Sequence, residues 1–215
     1  MTNSHQAENR SRFDQIAAQW DESPRRAEMA TAVADAIAAA VPLAPHWRAF
    51  EYGCGTGLVG VRLLPHLSHL TAADLSPGML AVLRDKAAAA GLSGITTQVL
   101  DLTSAPPPPV RYNFVFSSMA LHHIPDVGAL LRTFGLMLEP EGWIALADLD
   151  AEDGEFHGPD VPGVAHRGFE RSQVERWLHE AGFRSVAFRT AHTVEKEREG
   201  QLRQYPVFLA TAQRR

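Results

Sequence analysis

The residues best placed to do chemistry stand where predicted β-strands end. In Glu51-Tyr-Gly-Cys-Gly-Thr-Gly57, three glycines alternate directly after a short apolar stretch. Glycine permits positive φ and lets a ligand approach the backbone without a Cβ in the way. Asp74 and Asp101 close the next two apolar stretches. Because ligands of open α/β sheets bind outside the carboxyl ends of the strands, these residues predict one shared binding site.

The glycine loop permits two interpretations. Read from Gly55, the segment Gly55-Thr-Gly-Leu-Val-Gly60 satisfies G-x-G-x-x-G, the dinucleotide fingerprint of nicotinamide-dependent oxidoreductases. Read from Glu51, it satisfies acidic-x-Gly-x-Gly-x-Gly. A ribose-binding carboxylate at Asp74 suits both cofactors, whereas a second carboxylate at Asp101 suits an adenine amino group. Both acids could instead cap the turns that follow them.

Histidines follow the fourth and fifth apolar stretches. His122 and His123 come after the fourth, and histidine titrates near neutrality, so either is a candidate catalytic base while the other caps the next segment. His157 and His166 are further candidates. The segment Asp148–Asp160 holds six acids and no Lys or Arg, and it is either a substrate loop that favours a cation or a solvated loop. No tight ligand spacing predicts a metal site.

Short apolar stretches alternate with amphipathic helices over most of the chain. This alternation predicts a mostly parallel sheet with helices on both faces. The helices are marked by Ser76 as a cap, by Asp126 as a cap, and by a capping box of Ser172 and Glu175. The charged run 195–199 predicts a solvated loop or short helix. The predicted strands are Arg48–Tyr52, Leu70–Leu75, Ile95–Leu100, Tyr112–Ser117, Trp143–Leu149, Arg184–Thr190 and Tyr205–Thr211, with the last two forming an antiparallel pair.

The residues before the first strand have a helical pattern. Phe13, Ile16 and Trp20 lie on one helical face, and Pro24 can open a second helix that Pro42 ends. We therefore predict an N-terminal helical cap over residues 1–45 and a single structural unit over residues 46–215.

Five stretches resemble, in order and in spacing, the motifs of class I S-adenosylmethionine (SAM) methyltransferases. They are Glu51–Gly60, Ala73–Leu80, Val99–Leu102, Tyr112–Ile124 and Leu138–Trp143. The resemblance implies a Rossmann-like α/β fold: a seven-stranded, mostly parallel sheet, an antiparallel last strand and an N-terminal helical lid. It also implies SAM as cofactor and methyl transfer to a small molecule, in the broad group of quinone-biosynthesis methyltransferases. The alternatives are an NAD(P)-dependent oxidoreductase and a catalytically silent SAM-binding module.

The same resemblance assigns cofactor contacts. Glu51 would place the amino group of SAM, Asp74 would accept from both ribose hydroxyls, and Asp101 would accept from the adenine amino group. The full predicted set is Glu51, Gly53, Cys54, Gly55, Gly57, Asp74, Leu75, Met79, Asp101, Leu102 and Ser117.

Apolar and basic residues around this set have two interpretations. Leu75 and Met79 either sandwich the adenine or pack in the core. Phe13 and Trp20 either cover the cofactor or pack on the sheet. Arg25 or Arg26 either meets the methionine carboxylate or is solvated.

Composition limits the partners. The 215 residues are 45% hydrophobic, enough for one domain with a sizeable core. Twenty Lys and Arg against 25 Asp and Glu give a net charge of −5, which argues against sequence-independent nucleic-acid binding. Cys54 is the one cysteine, which excludes an internal disulfide. No apolar run indicates a membrane span or signal peptide, so we expect a soluble cytoplasmic protein. The acceptor and the oligomeric state are not determined by the sequence.

Overall fold

The computed structural model describes residues 2–157, 161, 163–198 and 200–215, with side chains from residue 7 onward, and is organised around a seven-stranded sheet. The strand order is β3-β2-β1-β4-β5-β7-β6. β1 to β5 run parallel, and β7 is antiparallel to both of its neighbours. The predicted sheet is confirmed. The strands are β1 (Arg48–Tyr52), β2 (His69–Asp74), β3 (Ile95–Val99), β4 (Tyr112–Ser118), β5 (Leu138–Leu149), β6 (Phe183–Arg198) and β7 (Gln201–Arg214).

Two helices begin at the capping residues that the sequence predicts, Ser76 and Asp126. The Ser76 hydroxyl accepts from the Met79 N–H at 3.0 Å, and the Asp126 carboxylate accepts from the Ala129 N–H at 2.8 Å. These bonds satisfy N–H groups that have no partner within the helix. The helices are α1 (Thr2–Ile16), α2 (Pro24–Ala40), α3 (Gly60–Leu63), α4 (Pro77–Ala89), α5 (Val127–Met137) and α6 (Arg171–Glu180), with short 3₁₀ turns over Ala17–Glu22, Leu64–His66 and Leu121–His123.

The sheet is buried on both faces. On one face, α2, α3 and α4 pack against inward residues such as Leu70 and Phe114. On the other, α5 and α6 pack against residues such as Phe50 and Val115. A parallel sheet needs this double cover, because both faces of its strands are apolar.

Three local predictions are wrong. The capping box does not form, because α6 begins at Arg171, one residue before Ser172, where a salt bridge from Arg171 to Asp150 at 2.7 Å fixes its first turn. The run 195–198 is part of β6 rather than a loop or helix, because it pairs with β7. β5 begins at Leu138 instead of Trp143. Glu199 lies outside the described residues.

The turn that leaves β1 requires glycine at position 53. Gly53 has a φ of +67°, and a Cβ placed on it would overlap the Cβ of Ala120, in the segment after β4. Gly91 has a similar φ of +62° but no atom within 4 Å of the position of a Cβ. The two glycines therefore differ in crowding and share the backbone strain.

We expect Gly53→Ala to destabilise the protein by about 2–4 kcal/mol, the sum of left-handed strain and overpacking. Gly91→Ala should cost only the strain, about 1 kcal/mol. Urea unfolding of both variants measures the difference. Equal losses for the two variants would contradict the close packing of the β1 turn against Ala120.

Candidate active site

A cavity of about 420 Å³ opens at the carboxyl ends of β1, β2 and β4. This volume falls within the roughly 300–1,000 Å³ of small-molecule sites. The glycine loop and Asp74 form one side of the cavity, and His122, His123 and His157 form another. The topology explains this meeting, since parallel strands bring their following loops to one edge of the sheet.

Seven of the eleven predicted cofactor residues line this cavity. They are Glu51, Gly53, Cys54, Gly55, Asp74, Leu75 and Met79. A Cβ on Gly55 would meet no atom within 4 Å, so the loop offers bare backbone to the cavity at that point. This open approach is what a cofactor lying on the loop requires.

The other four predicted cofactor residues lie elsewhere. The Ser117 hydroxyl is buried and donates to the Tyr52 carbonyl at 2.8 Å, so it joins β4 to β1, while the next residue, Ser118, lines the cavity. The Leu83 side chain fills the space where a Cβ of Gly57 would lie. Leu102 is buried in the core on the face of the sheet that α5 and α6 cover.

Asp101 lies in a second, more open cavity that shares Leu75 with the first. Its carboxylate accepts from the Thr103 N–H at 2.9 Å and from the Ser104 hydroxyl at 2.7 Å. Asp101 therefore caps the turn after β3, as its alternative interpretation predicts, and also stands beside the main cavity.

Asp74 caps the turn after β2, as its alternative interpretation predicts, and also lines the cavity. One carboxylate oxygen accepts from the Gly55 N–H and the other from the Ser76 N–H, each at 2.8 Å. The carboxylate thus ties the glycine loop to the start of α4 and still lines the cavity. Burial raises its pKa, and these two backbone hydrogen bonds oppose the rise.

Glu51 is a buried acid with a free oxygen. Its side chain lines the cavity and is 2% exposed, and Oε2 has no hydrogen-bond partner in the part of the chain described. Burial, followed by repulsion from Asp74, raises the pKa of Glu51 to about 8. An unsatisfied buried carboxyl costs free energy, and a cationic ligand group would relieve that cost.

His122 and Asp148 form a buried pair on the histidine side of the cavity. His122 Nδ1 lies 2.7 Å from Asp148 Oδ1, and both residues are almost fully buried. Burial alone would raise the pKa of Asp148, but His122 and its hydrogen bond lower that pKa below its usual value. The ionised carboxylate accepts from Nδ1–H, which fixes the tautomer with a lone pair on Nε2. Within the described residues, Nε2 is buried and has no partner.

Two other histidines flank this pair as neutral rings. The His157 ring centroid lies 4.8 Å from that of His122, and the His123 centroid lies 4.2 Å from it. Burial, and then the electrostatic influence of the neighbouring histidines, lowers the pKa of His123 to about 4 and that of His157 to about 3. The Gly163 carbonyl accepts from His123 at 2.8 Å, which leaves His123 less free than His122.

His166 does not reach the cavity. Its Nε2 lies 2.9 Å from the Ile124 carbonyl, and its backbone N–H donates to the His122 carbonyl at 3.0 Å. It therefore anchors the segment that covers the 3₁₀ turn of His122. The sequence pattern could not show this, because the contact joins residues 42 positions apart.

None of the described acids of the segment after β5 lines the cavity. Asp148 binds His122, Asp150 binds Arg171, and Asp153 binds Arg203. Glu152 accepts from the backbone N–H groups of Gly154 and Phe156. The prediction of a loop that favours a cationic substrate is therefore not supported; Gly158–Asp160 lie outside the described residues.

The N-terminal helices close the cavity from the remaining side. Phe13 and Trp20 line it, and Phe13 packs edge-on against both Trp20 and His123. Asp14 accepts from the Ser76 hydroxyl at 2.6 Å, which ties α1 to the start of α4. Asp21 forms a salt bridge to Lys86 at 2.5 Å. These contacts place the N-terminal helices where a lid is predicted.

The sequence analysis missed four basic residues of the cavity, Arg10, Arg12, Lys196 and Arg198. The signal was present in Glu195-Lys-Glu-Arg198, where acidic and basic residues alternate with the period of a strand. Along β6, Glu195 and Glu197 are exposed, whereas Lys196 and Arg198 are half-buried and face the cavity.

Comparison with known proteins identifies the family. A family model described as a methyltransferase domain matches residues 25–188. The chain belongs to the class I SAM-dependent methyltransferases. This excludes the dinucleotide interpretation of the glycine loop. SAM is the cofactor of this family, and the cavity fits it, because Gly55 leaves open backbone and Glu51 Oε2 is buried with no hydrogen-bond partner among the described residues.

Curated relatives are about three tenths identical to this chain over the segments that align. It is 28% identical over 132 residues to the 27-O-demethylrifamycin SV methyltransferase of Amycolatopsis mediterranei, covering 60% of this chain and 48% of that protein. It is 31% identical over 145 residues to an uncharacterised methyltransferase of Mycobacterium bovis, covering 66% of this chain and 71% of that protein. The chain spans about half the length of two of the curated relatives that it matches.

Solved structures share the fold at low sequence identity. DhpI in complex with SAH superposes with a TM-score of 0.75 at 20% identity, covering 97% of this chain and 96% of that one. A Haloferax volcanii methyltransferase solved with the Trm112 activator gives a TM-score of 0.75 at 16% identity, covering 94% and 96%. At these identities the likeness establishes the fold alone.

Across the ranges that the structure describes, no helix is long and apolar enough to cross a bilayer. Over the same ranges, no three His, Cys, Asp or Glu side chains are grouped so as to hold a metal ion.

The raised pKa of Glu51 predicts a pH-dependent stability in the absence of cofactor. The folded state binds the proton more tightly than the unfolded state, so the stabilising contribution is complete below the unfolded pKa and is lost as pH rises through about 8. Glu51→Gln keeps the neutral form at every pH. The variant should match the wild type at pH 4.5 and exceed its melting temperature by several degrees at pH 8.5.

Thermal unfolding across this pH range checks the expectation, with Glu28→Gln on the exposed face of α2 as the control. A constant difference between Glu51→Gln and the wild type at all pH values would show that Glu51 does not titrate in this range.

Proposed function

We propose that this protein transfers the methyl group of SAM to a small-molecule acceptor by in-line displacement, with His122 as the general base and Asp148 as its positioning residue. The observation that carries the proposal is that His122 Nε2 is buried at the cavity wall with no partner among the described residues, on a ring whose other nitrogen is bound to Asp148. An imidazole held in this way accepts a proton at one defined atom. His157 is the alternative base, since its Nε2 is also buried and without a partner among the described residues.

The cofactor roles that we propose follow the placement of the residues. Glu51 receives the ammonium group, Asp74 the ribose hydroxyls, and Asp101 with the Leu102 N–H the adenine. Leu75 and Met79 pack against the adenine, and Arg25 or Arg26 meets the methionine carboxylate. Support comes from the cavity itself, which brings Glu51, Asp74, Leu75 and Met79 to one side.

Bound SAM supplies an electrophilic methyl group, and the loss of that group leaves neutral S-adenosylhomocysteine. His122 Nε2 takes the proton of the acceptor atom as that atom bonds to the methyl carbon, and Asp148 stabilises the resulting imidazolium. Phe13 and Trp20 exclude water from the reacting groups. Positioning of the acceptor in line with the carbon–sulfur bond supplies most of the acceleration in such a displacement.

A small-molecule acceptor agrees with the enclosed cavity and with the names of relatives, which include a ubiquinone biosynthesis O-methyltransferase and phosphoethanolamine N-methyltransferases. The same small-molecule role fits a cytoplasmic enzyme. Incubation with SAM and a panel of O-, N-, S- and C-acceptors, with S-adenosylhomocysteine measured by mass spectrometry, tests the proposal. Tight SAM binding with no methyl transfer to any acceptor would favour the silent SAM-binding module.

Replacement of Asp74 tests the cofactor site. Asp74→Ala should weaken SAM binding by about 1–3 kcal/mol, because the ribose hydroxyls lose their acceptor and the glycine loop loses its tie to α4. Isothermal titration with SAM, well below the melting temperature, measures the change. Asp85→Ala on the exposed side of α4 is the matched control. An unchanged affinity would remove Asp74 from the ribose site.

Replacement of His122 tests the base. His122→Asn keeps a donor toward Asp148 and removes Nε2, so kcat should fall by roughly 10²–10⁴-fold while SAM affinity is preserved. Initial rates with the acceptor that the panel identifies provide the measurement, and His179→Asn on α6 provides the control. If kcat is unchanged in His122→Asn but falls in His157→Asn, the base is His157.

A further inference from the structure

Positive charge is concentrated in the cavity wall, although the whole chain carries a net charge of −5. The acids that line the cavity are Glu51 and Asp74, both on the side of the glycine loop. The basic side chains that line it are Arg10, Arg12, Arg25, Arg26, Lys196 and Arg198. An excess of one sign in a partly enclosed cavity raises the local concentration of ligands of the other sign.

Most of these cations have no acidic partner. Arg10 faces Asp14 at 3.9 Å, but in the described parts of the chain the other five form no salt bridge. Their hydrogen bonds go to neutral carbonyls instead: Arg26 donates to Trp20 at 3.1 Å, and Lys196 donates to Phe156 at 2.7 Å. The cavity wall therefore holds five cations that no salt bridge among the described residues neutralises.

Two of the cations stand at the histidine end of the cavity. Lys196 lies 3.5 Å from the ring centroid of Phe156, which is the sequence neighbour of His157. After burial and the other two histidines, the charges of Lys196 and Arg12 contribute to lowering the pKa of His157. Arg25 and Arg26 are close enough to repel this pair, and Arg26 is also stacked on Trp20 at 3.8 Å.

Neither cation is a simply solvated side chain. Arg12 Nη1 is buried and has no hydrogen-bond partner among the described residues. Burial, followed by repulsion from Arg198, lowers the pKa of Lys196 to about 8. Lys196 uses one of its three hydrogens on Phe156, so two remain for a ligand. A bound anion would satisfy the free donor of Arg12 and offset the repulsion at Lys196.

We propose that the methyl acceptor carries an oxyanion, a carboxylate or a phosphoryl group, which Arg12 of α1 and Lys196 of β6 bind at the histidine end of the cavity. The proposal rests on the proposed function, because it takes this end as the acceptor side. Arg25 and Arg26 then remain for the carboxylate of the cofactor. The atom that receives the methyl group is a different part of the same acceptor, within reach of His122.

The direct test is anion binding to the protein loaded with S-adenosylhomocysteine, so that the carboxylate of the cofactor is already in place. Inorganic phosphate, methylphosphonate and benzoate serve as probes in isothermal titration. We expect at least one probe to bind saturably and to lose about tenfold or more in affinity in Arg12→Gln and in Lys196→Gln. A preference for phosphate and methylphosphonate identifies a phosphoryl acceptor, and a preference for benzoate a carboxylate acceptor.

The matched control is Arg132→Gln, which removes one positive charge from an exposed position on α5 and should leave probe affinity unchanged. The proposal is overturned if no probe binds, or if all three variants bind the probes equally. It is also overturned if Arg12→Gln and Lys196→Gln weaken S-adenosylhomocysteine binding while probe binding is unchanged, because the pair would then hold the cofactor carboxylate.

These outcomes are distinct from failure of the proposed function. The binding test needs no turnover, so a silent protein would still show whether the anion site exists. Where the panel yields turnover, acceptors with an oxyanion should be methylated in preference to their methyl esters, and Arg12→Gln should raise KM at least about tenfold with less effect on kcat. Efficient methylation of the neutral esters would contradict the proposal even in an active enzyme.

Discussion

The buried carboxylate of Asp148 connects the fold to the chemistry. It accepts from the N–H groups of Leu121 and Leu149 at 2.9 and 2.8 Å, and from His122 Nδ1 at 2.7 Å. One side chain therefore holds the ends of β4 and β5 together and sets the tautomer of the candidate base. A buried charge is tolerated only when its acceptor sites are filled in this way, so the position of His122 is fixed by the same bonds that satisfy Asp148.

Asp74 has the corresponding role on the cofactor side. Its two oxygens bind the Gly55 and Ser76 N–H groups, so one residue shapes the glycine loop and starts α4. The two acids lie at the carboxyl ends of β2 and β5, on either side of β1 and β4 at the middle of the sheet. The parallel strand order thus places the cofactor side and the histidine side of one cavity opposite each other.

The division of charge follows from this arrangement. The acids stay with the glycine loop, where a cofactor with a sulfonium and an ammonium group needs them, and the cations come from α1, α2 and β6. Elements far apart in the sequence supply this wall, and Arg25 of α2 reaches the Glu195 carbonyl on β6 at 3.4 Å. In the acidic segment after β5, the carboxylates instead bind backbone N–H groups and basic side chains of the protein itself.

The sequence by itself determined the sheet, the caps at Ser76 and Asp126, the glycine loop and its carboxylates, because local periodicity and local hydrogen bonds encode them. It did not determine that the charged run of β6 pairs with β7, that His166 turns to Ile124 while His122 keeps a free nitrogen, or that Ser117 joins two strands. The partners of His166 and Ser117 lie 42 and 65 residues away, which local pattern does not specify. The run of β6 pairs with residues only 3 to 9 positions along the chain, in a hairpin whose turn its charge pattern does not mark. Only the tertiary structure brings Arg12 and Lys196 to one cavity, because the sequence specifies the charge of each residue but not which residues it contacts in space.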